Sequence, residues 1–385
     1  MTETAPLLLQ AAGSDDADFY FAAHMAVEQA LYLRFPDGED WLVVARLELE
    51  RAQAEGRAVH VVDRAELGWD ETRGLYGGWS DLAAGLLERR GATALRVSPR
   101  LAAAHYTALL DRGLDLTIDQ DLFVAERRRK SLEEQAAIEV AQQAAEAACA
   151  EVVRMLAAAD VGPGGTLRLE GRELTSEALM ARAQTVLTER GHSAAEMIVA
   201  GSPGCAVPHF QGAGPIVGGA PVIIDIFPRG SRSRYHGDLT RTVVPGASGG
   251  IPDQFRRQHA ACVSVLESAI AGIRAGVDGR DVHREACASL VERGYGTTTE
   301  GFEGDAEGAR MTHSLGHGVG LDVHEPPYLG LLAYPLQEGD VVTVEPGLYK
   351  MGLGGVRVED TGVVTAGGFR NLTRLTRSLD PRDYV

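Results

Sequence analysis

Apolar and polar positions change their spacing along the first third of the chain. The pattern predicts strands over residues 41–47, 59–63 and 94–98 and helices over residues 82–90 and 101–112. Strands that alternate with helices in this way are typical of a compact α/β domain with one core. We therefore expect a smaller α/β domain over residues 1–126.

A long helix marks the start of the second part. Ser131 and Glu134 have the spacing of a capping box, and an Ala-rich helical pattern follows over residues 132–158. We place the domain boundary just before this helix, which gives a second domain over residues 127–385. The basic run Arg127 to Lys130 in front of the helix is interpreted as a solvated hinge.

The second domain contains a faint internal duplication. Residues 183–192 and 286–295 share the pattern Ala-x-x-x-Leu-x-Glu-Arg-Gly at an offset of 286 − 183 = 103 positions. Each copy reads as a helix that ends at glycine, with strand-like sequence behind it. The pattern predicts two related α+β halves, with strands over residues 221–227, 340–344 and 355–361.

Charge and composition exclude several classes of protein. The formal net charge of −17 argues against nucleic-acid binding, which needs clustered Lys and Arg. No stretch approaches the roughly 18 apolar residues that span a bilayer, and the opening MTETAPLLLQ lacks the basic start of a secretory signal. The four cysteines form no Cys-x-x-Cys pair, so we expect buried thiols in a reducing cytoplasm rather than a disulfide or a nucleophile.

Acidic residues stand at the ends of several predicted strands, and one histidine, His317, stands in a predicted Gly-x-Gly turn. An isolated Asp in such a place is commonly a turn cap, an isolated His a satisfied polar residue, and Glu345 before Pro346 an ordinary turn residue. The order Asp, Asp, His, Glu, Glu favours a different interpretation, because hard oxygen donors with one imidazole suit a pair of divalent cations. The residues in this order are Asp225, Asp238, His317, Glu345 and Glu359. The glycines 316, 318 and 320 around His317 let the backbone pass close to such a site.

These segments, including T-H-S-L-G-H-G-V-G-L-D-V-H-E over residues 312–325, resemble the motifs of the pita-bread metallopeptidases. That family contains methionine aminopeptidases, aminopeptidase P, prolidases and the metal-free creatinases. The resemblance covers residues 127–385 and implies an α+β fold, the pita-bread (creatinase/aminopeptidase) fold with pseudo-twofold halves. Residues 1–126 are similar to the creatinase/prolidase-type N-terminal domain, which favours the aminopeptidase P and prolidase branch.

The resemblance also implies roles for individual residues. The family's ligands for two divalent metal ions per subunit fall on Asp225, Asp238, His317, Glu345 and Glu359, with Asp238 and Glu359 as bridges. Manganese is the first expectation, and zinc, cobalt or iron fit the same ligands. The catalytic positions fall on His313, His324, Glu345 and His209. The positions that orient the ligands fall on Thr240, Tyr349 and Arg357.

The activity that the resemblance implies is hydrolysis of Xaa-Pro bonds in dipeptides or short peptides, by an Xaa-Pro dipeptidase or an Xaa-Pro aminopeptidase. In that reaction a water between the metals is deprotonated and attacks the carbonyl. Glu345 would take its proton, and His324, helped by His313, would stabilise the oxyanion. A short peptide is the expected partner, and a homodimer is usual in this branch.

One loop departs from the family pattern. The interval between the two aspartates, 238 − 225 = 13 positions, is longer than in most relatives and contains Arg229, Arg232 and Arg234. Prolidases usually carry an Arg behind the His-Glu motif to bind the substrate carboxylate, but residues 326–344 contain no Arg or Lys. The three arginines are either a solvated hairpin tip or a replacement carboxylate reader.

Two alternatives to the Xaa-Pro peptidase remain open on this sequence. One is a peptidase of the same family that acts from the C-terminal end of short peptides and uses the arginine loop. The other is a metal-free protein on the same fold, either a binding module or a creatinase-type enzyme.

Overall fold

The computed structural model describes residues 4–11, 13, 15–247, 249–305 and 307–384. Residues 1–3, on which the expectation about a secretory signal partly rests, lie outside this description. The chain divides into two compact units, Met1–Arg127 and Arg128–Val385. The assignment of residues 1–126 and 127–385 to the two domain types named above stays a prediction.

The strands of the first unit form one mixed sheet with the order β4-β3-β2-β1-β5-β6. Neighbours β1, β2 and β3 pair antiparallel, whereas β3–β4, β1–β5 and β5–β6 pair parallel. The strands are β1 (Leu7–Gln10), β2 (Ala30–Arg34), β3 (Asp40–Val44), β4 (His60–Asp63), β5 (Ala94–Val97) and β6 (Asp115–Ile118).

Helices cover both faces of this sheet. Leu7 and Leu9 of β1 pack in one cluster with Phe19, whereas Leu8 between them packs in a second cluster with Trp79. Burial of all three leucines of β1 fits a strand covered on both faces, as the α/β prediction requires. The helices are α1 (Ala17–Ala23), α2 (Leu49–Glu55), α3 (Gly74–Glu88), α4 (Ala103–Leu110) and α5 (Val124–Arg128), the last running across the boundary.

Element boundaries in the first unit differ from the sequence prediction most at one strand and one helix. The strand predicted over residues 41–47 ends at Val44, because the chain enters a 3₁₀ turn over Arg46–Glu48. The helix predicted over residues 82–90 begins at Gly74 instead. The sequence prediction missed this first part of the helix because it contains several glycines, which have low helix propensity. One of them, Gly78, lies where a Cβ would come within 2.7 Å of the Trp69 ring.

The second unit begins with the helix that the capping box predicts. Ser131 accepts from the backbone N–H of Glu134, and the Glu134 carboxylate accepts from the N–H of Ser131. The helix predicted over residues 132–158 is therefore confirmed as α6. The helices of this unit are α6 (Leu132–Ala158), α7 (Ser176–Glu189), α8 (Asp253–Gly272) and α9 (Gly279–Glu292).

Strands of the second unit form several sheets, among them β11-β12-β14, β15-β16-β20-β21 and β18-β17-β19-β22-β23, in which the pairs are antiparallel except for the parallel pair β15–β16. Those up to residue 243 are β7 (Asp160–Val161), β8 (Leu167–Leu169), β9 (Arg172–Glu173), β10 (His192–Ser193), β11 (Met197–Gly201), β12 (Val222–Ile226), β13 (Arg229–Gly230) and β14 (Leu239–Val243). Those that follow are β15 (Gly296–Thr297), β16 (Arg310–Met311), β17 (Gly316–Gly318), β18 (Glu325–Leu329), β19 (Val341–Val344), β20 (Gly347–Lys350), β21 (Gly354–Arg357), β22 (Asp360–Val364) and β23 (Phe369–Asn371).

Two helix pairs and their sheets make two halves. Helices α6 and α7 share a core with β11, β12 and β14, whereas α8 and α9 share one with strands that include β19 and β22. The repeated sequence pattern lies at the ends of α7 and α9, where Gly191 and Gly294 adopt φ of 72° and 82°. This left-handed conformation ends each helix, as the duplication predicts. The α+β class of the fold is thus confirmed.

The prediction of a single half-buried strand over residues 355–361 is wrong. The segment forms two strands, because β21 ends at Arg357 in one sheet and β22 begins at Asp360 in another. Residues 354–364 are all buried. Glu359 lies at the crossing between the two sheets, and its N–H donates to the carbonyl of Thr240 over 3.1 Å.

The interpretation of the basic run as a solvated hinge is also wrong. Arg128 and Lys130 are buried. Arg128 donates from Nε and Nη2 to the two carboxylate oxygens of Asp340 over 3.0 and 2.8 Å, and Lys130 Nζ lies 2.6 Å from Glu325 Oε1. These partners are 212 and 195 residues away in sequence, so no local pattern announces them.

Burial and covalent state of the cysteines agree with the sequence prediction. Cys149, Cys205, Cys262 and Cys287 are buried, and each carries a free thiol. Within the described ranges, no helix has the length and apolarity that a membrane crossing requires.

The buried pair of Lys130 and Glu325 gives a stability prediction. Lys130→Met leaves a buried carboxylate without its cation, so we expect the free energy of unfolding to fall by about 3–5 kcal/mol. The double variant Lys130→Met/Glu325→Leu removes both charges and should recover most of this loss. Urea unfolding of the full chain measures both.

A matched control is Arg382→Gln, which breaks the exposed pair with Asp380 and should cost less than about 1 kcal/mol. A double variant as unstable as Lys130→Met would contradict the argument.

Candidate metal centre

Asp225 and Asp238 come together on neighbouring strands. Asp225 lies in β12 opposite Thr240 of β14, and Asp238 directly precedes β14. The buried amide of Gln142 in α6 holds the Asp238 backbone, because it accepts from the N–H and donates to the carbonyl, each over 2.8 Å. The backbones of Gly237 and α6 also approach closely. A Cβ on Gly237 would lie 2.5 Å from the backbone nitrogen of Gln142, so this position requires glycine.

One ring nitrogen of His317 faces the carboxylates of Asp238 and Glu345. Its Nδ1 donates to the carbonyl of Gly318 over 3.1 Å, which leaves the Nε2 lone pair towards the cavity. Nε2 lies 3.6 Å from Asp238 Oδ2 and 3.5 Å from Glu345 Oε1. Burial, followed by the nearby His324, lowers the pKa of His317 to about 3, so the imidazole is neutral.

Glu345 and Glu359 enter the cavity from the second half of the unit. The N–H of Glu345 donates to the carbonyl of Leu315 over 2.8 Å, which ties it to the segment that carries His317. Glu359 Oε2 accepts from the hydroxyl of Thr240 over 2.8 Å. The buried guanidinium of Arg241 donates to the main-chain carbonyl of Glu359 over 2.5 Å and fixes the crossing between the two sheets.

The structure brings the predicted ligand residues to one cavity of about 550 Å³. Asp238, His317 and Glu359 each offer one ligand atom, and these atoms lie within 4.8 Å of one another. Asp225 and Glu345 line the same cavity. Its other lining residues are Glu196, Ile198, Pro208, His209, Gln211, Phe227, His313, Ser314, Gly316, Val323, His324, Tyr328 and Arg357.

The electrostatics of the cluster favour a bound cation. Burial, followed by repulsion from neighbouring carboxylates, raises the pKa of Asp238 and of Glu345 well above their usual values. The same two causes raise the pKa of Glu359 to about 8. Asp225 Oδ1 is buried and has no hydrogen-bond partner among the described residues. A divalent cation would supply that partner and relieve the repulsion.

A chain of hydrogen bonds links the cluster to His313. Arg357 donates from Nη2 to Asp225 Oδ2 over 2.6 Å and from Nη1 to the Tyr349 hydroxyl over 2.7 Å. Because this hydroxyl already accepts, its proton points to His313 Nε2 at 2.9 Å. Arg357 Nε also donates to Thr240 Oγ1 over 3.2 Å. Burial, followed by the charge of Arg357, lowers the pKa of His313 to about 4.

The other predicted catalytic histidines, His324 and His209, line the cavity, whereas the three arginines of the loop between Asp225 and Asp238 do not. The rings of His324 and His317 have centroids 4.2 Å apart, and His209 is an exposed lining residue. Arg232 is exposed, whereas Arg229 and Arg234 are half-buried, and the cavity lining includes none of the three. Their assignment as carboxylate readers stays a prediction.

Sequence reasoning missed a set of residues that hold the site from outside. Gln142 and Arg241 hold the backbone at Asp238 and Glu359 as described above. The buried His283 of α9 accepts at Nδ1 from the N–H of Leu315, between His313 and His317, over 3.2 Å. Its Nε2 lies 2.9 Å from the Thr299 hydroxyl. These residues lie on helices or strand interiors, and no spacing in the sequence distinguishes them from ordinary polar positions.

The raised pKa values predict how stability depends on pH. An acid whose native pKa lies above its unfolded value binds more protons in the folded state. The free energy of unfolding of the metal-free protein should therefore fall as pH rises between about 4.5 and 8, with a slope of about 1.4 kcal/mol per pH unit for each titrating group.

Saturating divalent cation replaces the protons, so the metal-loaded protein should show a much weaker decline. Thermal unfolding across this range, with chelator and with Mn²⁺, measures the difference. Glu359→Gln removes one titrating group and should flatten the curve of the metal-free protein. Equal pH dependence with and without metal would count against a cation site.

Comparisons with known proteins agree with this geometry. The model of metallopeptidase family M24 matches residues 136–366, which is 366 − 136 + 1 = 231 of the 385 residues. The Xaa-Pro dipeptidase of Pyrococcus furiosus is 33% identical over 187 residues, 48% of this chain and 49% of that protein. The matched stretch thus spans about half the length of this curated relative.

Solved structures extend the similarity of the fold to nearly the whole chain. The Xaa-Pro dipeptidase from Bacillus anthracis has a TM-score of 0.80 at 23% identity and covers 97% of this chain and 94% of its own. The X-Pro aminopeptidase from Thermotoga maritima also has a TM-score of 0.80 at 23% identity, with 97% of each chain covered. The family match across more than half of the chain and the shared pita-bread fold lead to one conclusion: the chain belongs to metallopeptidase family M24.

Proposed function

We propose that the chain is an Xaa-Pro peptidase that hydrolyses dipeptides or short peptides at a centre of two divalent cations. The observation that carries the proposal is the convergence of four carboxylates and one imidazole on a single cavity, which three further histidines also line. Relatives named as Xaa-Pro dipeptidase and X-Pro aminopeptidase support this substrate class. Expectations of a homodimer and of a cytoplasmic location stay predictions.

The donor set fits the cations that the family implies. Asp225, Asp238, His317, Glu345 and Glu359 would hold them. Hard carboxylate oxygens with one imidazole suit Mn²⁺ first, and zinc, cobalt or iron as further candidates. When bound, such cations lower the pKa of water and so supply the nucleophile for amide hydrolysis.

The chain's own residues would manage protons and developing charge. Glu345 stands beside His317 in the cavity and would take a proton from the attacking water and return it to the leaving nitrogen. His313 has both ring nitrogens engaged, by Tyr349 and by the carbonyl of Ser314. We therefore assign direct contact with the carbonyl oxygen to His324, with His313 as a neutral neighbour held by the Arg357–Tyr349 chain. His209 would lie near the proline of the substrate.

A peptide panel tests the proposal. We expect Xaa-Pro dipeptides, or the first bond of longer Xaa-Pro peptides, to be cleaved with Mn²⁺, while N-terminally blocked peptides resist. Glu345→Gln removes the proton carrier and should lower kcat by roughly 10²–10⁴-fold. Cleavage of dipeptides alone would identify a dipeptidase, and cleavage of longer peptides an aminopeptidase.

Glu189→Gln, at the exposed end of α7, is the matched control and should keep full activity. No Xaa-Pro cleavage by metal-loaded protein, with manganese or with zinc, would refute the proposal.

The alternative that acts from the C-terminal end depends on the arginine loop. If one arginine binds the carboxylate, replacing Arg229, Arg232 or Arg234 by Ala should raise KM for a free dipeptide and leave KM for its C-terminal amide unchanged. Kinetics of the three variants on both substrates measure this. Unchanged preference for the free acid in all three would assign the loop to a solvated hairpin tip.

A further inference from the structure

The outer end of the cavity carries a carboxylate that the proposed reaction does not use. Glu196 directly precedes β11 and lines the same cavity as the ligand cluster. β11 pairs antiparallel with β12, so that Met197 lies opposite Ile226 and Ile198 opposite Asp225. Glu196 and Phe227 each lie one position beyond the last paired residues of their strands, and both line the cavity.

Strand alternation puts this pair on the face that holds the ligands. Ile198, Asp225 and Thr240 form one row across β11, β12 and β14, and side chains two positions along a strand share a face. Two positions away along each chain segment, just beyond the paired residues, come Glu196, Phe227 and Asp238, and all three line the cavity. Adjacent strands lie about 4.8 Å apart, so continuation of this register would put the backbones of Glu196 and Asp238 about 10 Å apart, on either side of Phe227.

The charge balance leaves Glu196 available to a ligand. It is exposed, and neither a hydrogen bond nor an ion pair holds its carboxylate in the described part of the chain. Among the described residues that line the cavity, Arg357 is the single Arg or Lys, and Asp225 and Tyr349 already engage it. The outer wall of the cavity therefore presents a negative charge that no neighbouring cation neutralises.

We propose that Glu196, with Phe227 and Ile198, forms a subsite for a cationic side chain of the substrate, lysine or arginine. The aliphatic stem would lie across Ile198 and Phe227, and the charged head would reach the Glu196 carboxylate. The ring of Phe227 adds a cation–π contribution on the way. A negatively lined cleft also raises the local concentration of cationic ligands.

The inference rests on the proposed function for the identity of the residue. In an Xaa-Pro dipeptide the side chain of proline is uncharged. The cationic side chain that the subsite binds must therefore be that of Xaa. The structure thus assigns a preference for Lys-Pro and Arg-Pro over dipeptides whose first residue has an uncharged side chain of the same length.

Lys-Pro and norleucyl-Pro make a matched pair, since norleucine keeps the linear stem and lacks the ammonium group. We expect metal-loaded wild-type protein to prefer Lys-Pro by roughly 1.5–5-fold in kcat/KM, which corresponds to the range for a partly exposed ion pair. Glu196→Gln should bring this ratio close to one, mainly through KM. Glu196→Lys reverses the charge of the subsite. This variant should prefer norleucyl-Pro to Lys-Pro and should favour Glu-Pro.

Glu189→Gln changes the same charge outside the cavity and should keep the wild-type ratio. The Lys-Pro preference should also weaken with added salt, because a partly exposed pair is screened. A wild-type ratio of one, or a ratio that Glu196→Gln leaves unchanged, overturns the subsite.

Failure of the proposed function gives a different result. If neither the dipeptides, norleucyl-Pro included, nor longer Xaa-Pro peptides are cleaved, the peptidase assignment is wrong. Dissociation constants of the same two dipeptides for the full-length protein, measured by calorimetry, then test Glu196 alone. Equal constants in wild type and Glu196→Gln overturn the subsite, and a Lys-Pro preference that the substitution abolishes supports it.

Discussion

Four carboxylates converge on one cavity of the second unit, and the repulsion among them is the constraint that the surrounding structure must meet. Desolvation and mutual repulsion raise the pKa of Asp238, Glu345 and Glu359, so in the absence of cations the cluster costs stability once it ionises. A chain that only needed to fold would not place these groups together. The arrangement is favourable when cations share the site, because each cation converts repulsion into attraction.

Polar groups outside the cluster hold the carboxylates in place. Gln142 grips both backbone groups of Asp238, Arg241 holds the carbonyl of Glu359, and Arg357 donates to Asp225. Each contact joins an element of one half to the ligands, so the position of a ligand depends on packing far from the cavity. The crossing of the chain from β21 to β22 at Glu359 has the same origin, since this residue must leave one sheet to meet Thr240.

Local signals in the sequence predicted what depends on local chemistry. The capping box at Ser131 gave the start of α6, and the glycine after α7 and α9 marked the related halves. The four acidic ligand residues could be collected because each was predicted at a strand end in a distinctive context. His317 was predicted in a Gly-x-Gly turn, but it is the central residue of the short strand β17. The basic run failed as a prediction because Arg128 and Lys130 find Asp340 and Glu325 only in the folded chain. His283 was invisible for the same reason, since its partner is the backbone N–H of Leu315 and not a side chain of recognisable type.

Charge divides the cavity into two regions with separate tasks. Under the proposed function, the four ligand carboxylates, two divalent cations and Arg357 sum to −4 + 4 + 1 = +1, so the loaded catalytic region would carry no excess of negative charge. Arg357 is committed to Asp225 and Tyr349 in that region, whereas Glu196 is an exposed residue of the cavity wall. A charge at the outer end can therefore select a side chain without entering the proton chemistry around Glu345. The arginine loop stands apart from both regions, because none of its three arginines lines the cavity.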